Sequence, residues 1–406
     1  MDKETVPDSS AKIILEDTPM IFIGIDISKY KHDCFAMNEY GECKISNFTF
    51  QNNLNGFNSF ISVLDDIQED FRIGFEATGH YGLNLMLFLE KHDIPFMELN
   101  PVLVQKFILS HSLRRTKTDK TDAASIASYL ASAEFNPYPK KVYKMFSLKS
   151  LTRFRSGLIH QRSQSLVRIT NVLDCIFPEF KPFFKKKFST TALYILNNYL
   201  SPEKIANMNS CSYDKLRSIS RGKFSMAQFV QLKQLAKNTV GETNDIMLYE
   251  LQSLLALYRH LDENIKDTEK KIENIILELN PPTLSIRGIG VQSAAIIIAE
   301  YGDFSRFHTP AKMISFAGIE PGISQSGTYE HSGKMVKHGS AHLRYAILNC
   351  AGSVILHNEV FANYYYKKIS EGKCHRVALS HVAKKLIRVI FKLESTHTIF
   401  DPLLLC

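Results

Sequence analysis

No C-x-x-C pair occurs in this chain, no apolar run approaches the ~18–20 residues that a membrane helix needs, and no apolar signal core lies near its start. The seven cysteines (Cys34, Cys43, Cys175, Cys211, Cys350, Cys374 and Cys406) are scattered and odd in number. These absences argue against a zinc site, a disulfide framework, a membrane anchor and a secretory leader, and they fit reduced thiols in a cytoplasm. Residues 1–20 mix Asp, Lys, Glu, Pro and Ser, and a short, poorly ordered tail is expected there. A strong overall charge is missing too. Lys and Arg number 49 against 41 Asp and Glu, a net +8 over 406 residues, so the placement of charge says more than its sum.

Hydrophobic residues make up 45% of the chain, enough for a sizeable core in two or three domains. Four zones follow the tail. Residues 21–135 alternate strand-like and helix-like segments: Ile21–Asp26, Asp33–Met37, Ile45–Phe50, Arg72–Glu76 and Pro95–Leu99 read as strands, with helices around 54–65 and 82–91. The turn-like Asn38–Glu42 makes the first three strands a meander. The order βββαβαβα predicts a mixed sheet covered by helices, an α/β fold of the ribonuclease-H-like kind. The remaining zones read as all-α.

Residues 136–242 are helical and basic. From Lys140 to Lys187 there are twelve Lys and Arg against only Asp174 and Glu179. Either this is a solvated helix face or, given its length and one-sidedness, a polyanion-binding surface. The candidates for nucleic-acid contact are Arg153, Arg155, Arg162, Arg168, Lys185, Lys186 and Lys187, together with Arg114, Arg115 and Lys117 upstream.

Residues 243–280 carry an unbroken 4–3 seam: Met247, Leu251, Leu254, Tyr258, Leu261, Ile265, Thr268, Ile272, Ile275 and Leu279, with charges between them and Asn280-Pro281-Pro282 as the stop. One reading is a long helix packed within its own chain. The other, favoured because one helix cannot bury so long a stripe alone, is a coiled coil through which copies of the chain associate. Residues 281–406 open with Arg287-Gly288-Ile289-Gly290, which suggests a helix-hairpin-helix turn offering the backbone N–H groups of Gly288 and Gly290 to a phosphate; a plain capping turn is the alternative.

Four carboxylates stand out. Asp26 and Glu76 end the first and fourth predicted strands, and strand ends of open sheets are where ligands bind. Asp119 and Asp122, three apart, share one face at the start of a helix running to about Ala131. Four such groups converging repel one another, each pair by about 4 kcal/mol at about 4 Å and an effective dielectric of 20. Oxygen-only ligands of this kind suit Mg²⁺ or Mn²⁺, and two ions about 4 Å apart would clamp the attacking and leaving oxygens of a phosphoryl transfer. The plainer reading makes Asp119 a helix cap, Asp122 a surface residue and the other two ordinary strand-end acids.

These same residues resemble a known family. Gly24-Ile25-Asp26, Phe75-Glu76-Ala77-Thr78-Gly79-His80-Tyr81 and Lys117-Thr118-Asp119-Lys120-Thr121-Asp122-Ala123 look like the three acidic motifs of DEDD transposases of the insertion sequence 110 type, whose N-terminal domain is RuvC-like. Phe316-Ala317-Gly318-Ile319-Glu320-Pro321-Gly322-Ile323-Ser324-Gln325-Ser326-Gly327 resembles the family's second signature. The stretch Lys337-His338-Gly339-Ser340-Ala341-His342-Leu343-Arg344 resembles its basic segment leading into a helix, which adds Lys337 and Arg344 to the nucleic-acid candidates. The resemblance spans nearly the whole chain. It implies that Ser326, chosen over Ser324 for its spacing from Pro321 and its following glycine, forms a covalent phosphoserine link to DNA. It also implies Mg²⁺ on the four carboxylates, a dimeric or tetrameric assembly, a structured noncoding RNA that guides DNA choice, and a place in the bacterial cytoplasm or nucleoid. A simpler reading keeps the metal but not the serine: a Holliday-junction-type nuclease using water. A third makes the chain a DNA-binding protein with a decayed nuclease fold.

Overall fold

The computed structural model describes residues 19–76, 79–111, 119–138, 142–184, 188–326 and 329–405. Two compact units divide between Met145 and Phe146. The first is built on β1 (Ile21–Ile27), β2 (Lys31–Asn38), β3 (Cys43–Gln51), α1 (Leu54–Asp65), β4 (Phe71–Glu76), α2 (Leu83–Lys91), β5 (Phe96–Leu99), α3 (Pro101–His111) and α4 (Asp119–Ser132). The strands form one mixed sheet in the order β3-β2-β1-β4-β5, antiparallel in the meander and parallel along β1-β4-β5. This is the mixed sheet with helices that the order of elements predicts.

Alternation along the strands separates the two faces. Ile21, Ile23, Ile25, Ile73 and Phe75 point into a core closed by Phe57 and Phe60 of α1 and by Leu85 and Leu89 of α2. The neighbouring positions Phe22, Gly24 and Gly74 face α4 instead: Phe22 clusters with Ile126 and Leu130, and Leu130 also lies against Gly74. His32 sits fully buried between the rings of Phe50 and Phe57, and burial lowers its pKa to about 4, so the ring is neutral.

Gly24 is where the helix meets the sheet. A Cβ there would stand 2.3 Å from the carbonyl oxygen of Ala123 and 2.4 Å from the nitrogen of Ala127. Only a residue without a side chain lets α4 lie backbone-on-backbone over β1. Because Ala123 and Ala127 lie over Gly24 while Ile126 and Leu130 lie over Phe22, the helix runs back along the strand. Its first turn therefore lies toward the carboxyl ends of β1 and β4.

The second unit is helical: α5 (Val142–Ile176), α6 (Phe180–Phe183), α7 (Thr190–Tyr199), α8 (Pro202–Ala206), α9 (Ser210–Ile219), α10 (Met226–Lys237), α11 (Asp245–Leu279), α12 (Val291–Tyr301), α13 (Pro310–Ala317), a hairpin of β6 (Pro321–Ser326) and β7 (Tyr329–Met335), then α14 (Ala341–His357), α15 (Glu359–Ser370) and α16 (His375–Thr396). Among the described residues no helix is long and apolar enough to cross a membrane.

The seam of α11 finds its partner inside the chain. Arg155 pairs with Glu269 at 2.6 Å and Arg162 with Asp262 at 2.5 Å, so seven residues forward on α5 match seven back on α11, and the two helices run antiparallel. Leu261 and Ile265 pack on Leu158, while Leu251, Leu254 and Leu255 join the core around Ile169 and Leu173 of α5. The premise that this stripe lacks a cover within one chain is thus corrected: α5 and the helices after it supply the cover.

The close approach at Gly24 yields a test. Gly24→Ala is expected to destabilise the protein by about 2–3 kcal/mol, the usual cost of overpacking, because backbone atoms cannot rotate away as a side chain would. Urea unfolding with far-ultraviolet circular dichroism measures it; an unchanged midpoint would mean α4 does not lie this close.

Candidate active site

Asp26 and Glu76 are brought together by strand register. In the parallel pair β1–β4 the last matched residues are Ile25 and Phe75, so Asp26 and Glu76 come next on adjacent strands. Both follow a glycine by two positions and so share the face that α4 covers, with strands about 4.8 Å apart. Both are half-buried. Asp122, also half-buried, is in the first turn of α4, the end lying toward these strand termini. Asp119 begins the helix, and its side chain is outside the described atoms.

A further carboxylate escaped the sequence reading. Asp33 lies directly across from Asp26 in the antiparallel pair β1–β2, which places both on one face. Asp33 is buried, accepts a hydrogen bond from the hydroxyl of Thr49 at 2.5 Å, and pairs with Lys31 at 3.1 Å. The short connection after Ile27 turns β2 straight back along β1 and so brings Asp33 opposite Asp26.

The donor set is all oxygen, which fits a hard divalent cation better than a soft one. Among the described residues no three His, Cys, Asp or Glu side chains stand close enough together to hold a metal ion. The strand and helix backbone thus unites Asp26 with Glu76 and points the acidic helix toward them, while a ligand sphere would need the side chains to close further.

Ser326 is in the other unit, where its backbone ends β6 and pairs with Tyr329 across the tip of the hairpin. The foot of that hairpin is clamped. Val336 N–H donates to the Glu320 carbonyl at 2.8 Å, and Arg344 donates from one guanidinium nitrogen to the carbonyls of Ala317 and Lys337 at 3.2 and 3.4 Å. Ser340 caps α14 by accepting from Leu343 N–H and donates its own hydroxyl to Glu300 at 2.9 Å. Glu300, 2% exposed, also receives two hydrogen bonds from Arg153, at 2.8 and 3.1 Å. Burial pushes the Glu300 carboxyl upward, but hydrogen bonds and charge from Arg153, with Lys149 and Ser340 assisting, outweigh it and hold its pKa below the ordinary value.

The basic zone thus looks different in three dimensions. Arg153, Arg155 and Arg162 each engage an acid on α11 or α12, and Arg344 binds backbone carbonyls, so these guanidinium groups serve the fold. Their engagement comes from acids more than ninety positions away, which a local charge count cannot register. Arg168 and Lys337 are exposed. Arg114, Arg115, Lys117, Lys185, Lys186 and Lys187 lie outside the described residues. Gly288 has φ +102°, and a Cβ there would come within 2.9 Å of the Val354 backbone, so this glycine seats the turn against α14; Gly290 caps α12 with open space beside it.

Comparison with known proteins relates both units to one family. A profile described as a transposase, of the DEDD type of IS110, matches residues 23–178, which include Asp26, Glu76, Asp119 and Asp122. A second, described as the transposase IS116/IS110/IS902 family, matches residues 283–366, which include Glu300, Ser326 and Ser340. The IS116 uncharacterized 44.8 kDa protein of Streptomyces clavuligerus is 23% identical over 94% of this chain and 96% of its own length. The IS110 uncharacterized 43.6 kDa protein of Streptomyces coelicolor is 27% identical over 70% of this chain and 72% of its own. A pilin gene-inverting protein of Moraxella bovis is 24% identical over 94% of this chain and 97% of its own.

The Arg153–Glu300–Ser340 network makes a pH-dependent prediction. Glu300→Gln is expected to cost about 2–3 kcal/mol at neutral pH, less than a fully buried pair would because the arginine is half exposed. A carboxyl whose folded pKa is depressed stabilises above its unfolded value and loses that contribution as pH falls through its folded one. The gap between variant and wild type should therefore be full at pH 7 and shrink below the unfolded value of 4.5. Denaturation midpoints between pH 3 and 7 measure it; a gap independent of pH would refute the assignment.

Proposed function

Because the chain belongs to the IS110-type DEDD transposases and so is an enzyme acting on DNA, we propose that it cuts and rejoins DNA through Ser326 and a divalent cation held by Asp26, Glu76, Asp119 and Asp122. The observation that carries this reading is the register of β1 and β4. It sets two carboxylates side by side at strand ends, with an acidic helix start directed at them. Such an arrangement, RuvC-like in its order of elements, would favour a bound cation, since carboxylates drawn closer together would otherwise repel.

The Ser326 hydroxyl attacks the scissile phosphorus. An Oγ–P bond forms, the P–O bond to one strand breaks, and that strand leaves with the hydroxyl proton returned to it through solvent. One phosphodiester replaces another, so the bond energy is kept and the joining step is the reverse attack by a different strand's hydroxyl. Mg²⁺ or Mn²⁺, held by the four carboxylates, would supply Lewis-acid stabilisation of the charge that develops on the phosphoryl oxygens. The clamped foot of the β6–β7 hairpin gives the serine a firm base. Rejoining is supported by the pilin gene-inverting relative, since inverting a gene requires strands to be resealed as well as cut. A structured noncoding RNA would choose the DNA by base pairing, leaving the protein to read shape and phosphates. Assembly into a dimer or tetramer would use surfaces other than the α11 seam, which the chain itself covers.

Two variants divide this reading from a water-using nuclease. Ser326→Ala should abolish the covalent protein–DNA adduct and strand joining, while Asp26→Asn should lower cleavage by at least ~100-fold with folding retained. Denaturing gels of labelled DNA with Mg²⁺ report both. Joined product from the Ser326→Ala protein would exclude the serine chemistry and favour hydrolysis at the acidic site.

A further inference from the structure

With Arg153, Arg155 and Arg162 of α5 engaged inside the protein, a different surface offers a surplus of positive charge. From Tyr364 to Lys392 the chain has eight Lys and Arg and a single acid, Glu371. On α16, His381, Lys384, Arg388 and Lys392 follow one another at intervals of three and four residues, so they form one stripe. The opposite side of the helix holds the buried Val382, Leu386, Val389 and Leu393. The stripe is exposed at Arg388 and Lys392, half-buried at His381 and Lys384, and about 16 Å long at 1.5 Å per residue.

Nearby cations add to its charge, and two acids offset part of it. Lys368 and Lys373 both act on His381 as like charges, as does Arg388 on Lys384. Glu371 is paired with Lys368 at 2.8 Å, and the other acid acting on these groups is Glu320, beside Lys384. On α5, by contrast, acids on neighbouring helices meet Arg153, Arg155 and Arg162 one by one. Such a stripe is stabilised by an external anion. Glu320 immediately precedes β6, so the stripe passes the foot of the hairpin that ends in Ser326.

We propose that this face of α16 seats the phosphate backbone of the duplex DNA substrate and leads it to the hairpin. At one phosphate per about 3.4 Å along a strand, the stripe spans roughly four or five of them. Of the nearby aromatic rings Tyr366 is exposed, while its two neighbours are engaged. Tyr364 lies under Lys385 and Lys368, at 5.0 and 5.5 Å, and the Tyr365 hydroxyl bonds His375 at 2.7 Å. The cations of the stripe itself, Lys384, Arg388 and Lys392, meet phosphates, and a duplex, whose outer surface is its phosphate backbone, is the occupant. The assignment rests on the reading of the chain as an enzyme acting on DNA, but it does not depend on the serine chemistry.

The test is fluorescence anisotropy of the full-length protein with a labelled DNA duplex over a salt series from about 50 to 200 mM. The triple variant Lys384→Gln, Arg388→Gln, Lys392→Gln should bind at least ~10-fold more weakly at the lowest salt. Its salt slope should be shallower by about 2.7, the release expected for three phosphate contacts. A control of equal charge loss, Lys215→Gln, Arg217→Gln, Lys223→Gln on and after α9, should leave both unchanged. Should Lys384→Gln disturb Glu320, the pair Arg388→Gln, Lys392→Gln, both exposed, should still shift the slope by about 1.8. Equal losses in the control, no loss in the stripe variants, or a loss confined to single-stranded DNA or an RNA hairpin would overturn the seat alone. A wild-type protein that binds no nucleic acid would overturn the seat and the wider reading together.

Discussion

Backbone contact between a strand and a helix governs the N-terminal unit. At Gly24 there is no room for even one carbon between β1 and α4, and this absence of a side chain allows the acidic start of α4 to approach the ends of β1 and β4. Held a side chain's thickness further out, Asp122 and the first turn would be lifted from the face that carries Asp26 and Glu76. The parallel register does the rest, since adjacent parallel strands ending level with each other bring their last outward-facing residues side by side. Two glycines, Gly24 and Gly74, stand two residues before the two acids for the same reason: the covered part of the face must be flat and the exposed end must be polar.

In the second unit the organising force is charge matched across helices. α5 and α11 cross-link antiparallel through arginine–carboxylate pairs at heptad spacing, with apolar contacts between them. Pairs of this exposure contribute at most about 1 kcal/mol each, so they set register more than stability. Glu300 is different, being nearly inaccessible and satisfied by Arg153 and Ser340 at once. It connects a long helix to the cap of α14, and so to the foot of the hairpin. A chain with modest net charge can thus have one helix, α5, on which Arg153, Arg155 and Arg162 meet acids, and another, α16, on which Arg388 and Lys392 stand exposed.

Much of this was legible in advance. The period-two alternation from Ile21 to Ile27 and the turn-like Asn38–Glu42 mark a meander, and β1, β2 and β3 form one. Asp26 and Glu76 were legible as strand-end acids because the apolar runs before them stop there. Asp33 was passed over because a lone acid at a strand start has no signature; its meaning comes from facing Asp26. The heptad run through Leu251, Leu261 and Ile272 correctly marked a long helix, but periodicity specifies that a stripe must be covered, not by what. The Arg153–Arg162 stretch looked free because its acids lie on α11 and α12.

Residue order by itself determined the local elements, the four acids with their spacing, the serine motif and the family, because these depend on near neighbours along the chain. Tertiary structure alone decided which cations meet acids within the chain and which stand exposed, which helix covers the seam, and that Asp33 joins Asp26. The physical reason is the short reach of the forces involved. A hydrogen bond or ion pair acts over about 3–4 Å, and what stands at that distance is set by how segments a hundred residues apart pack together.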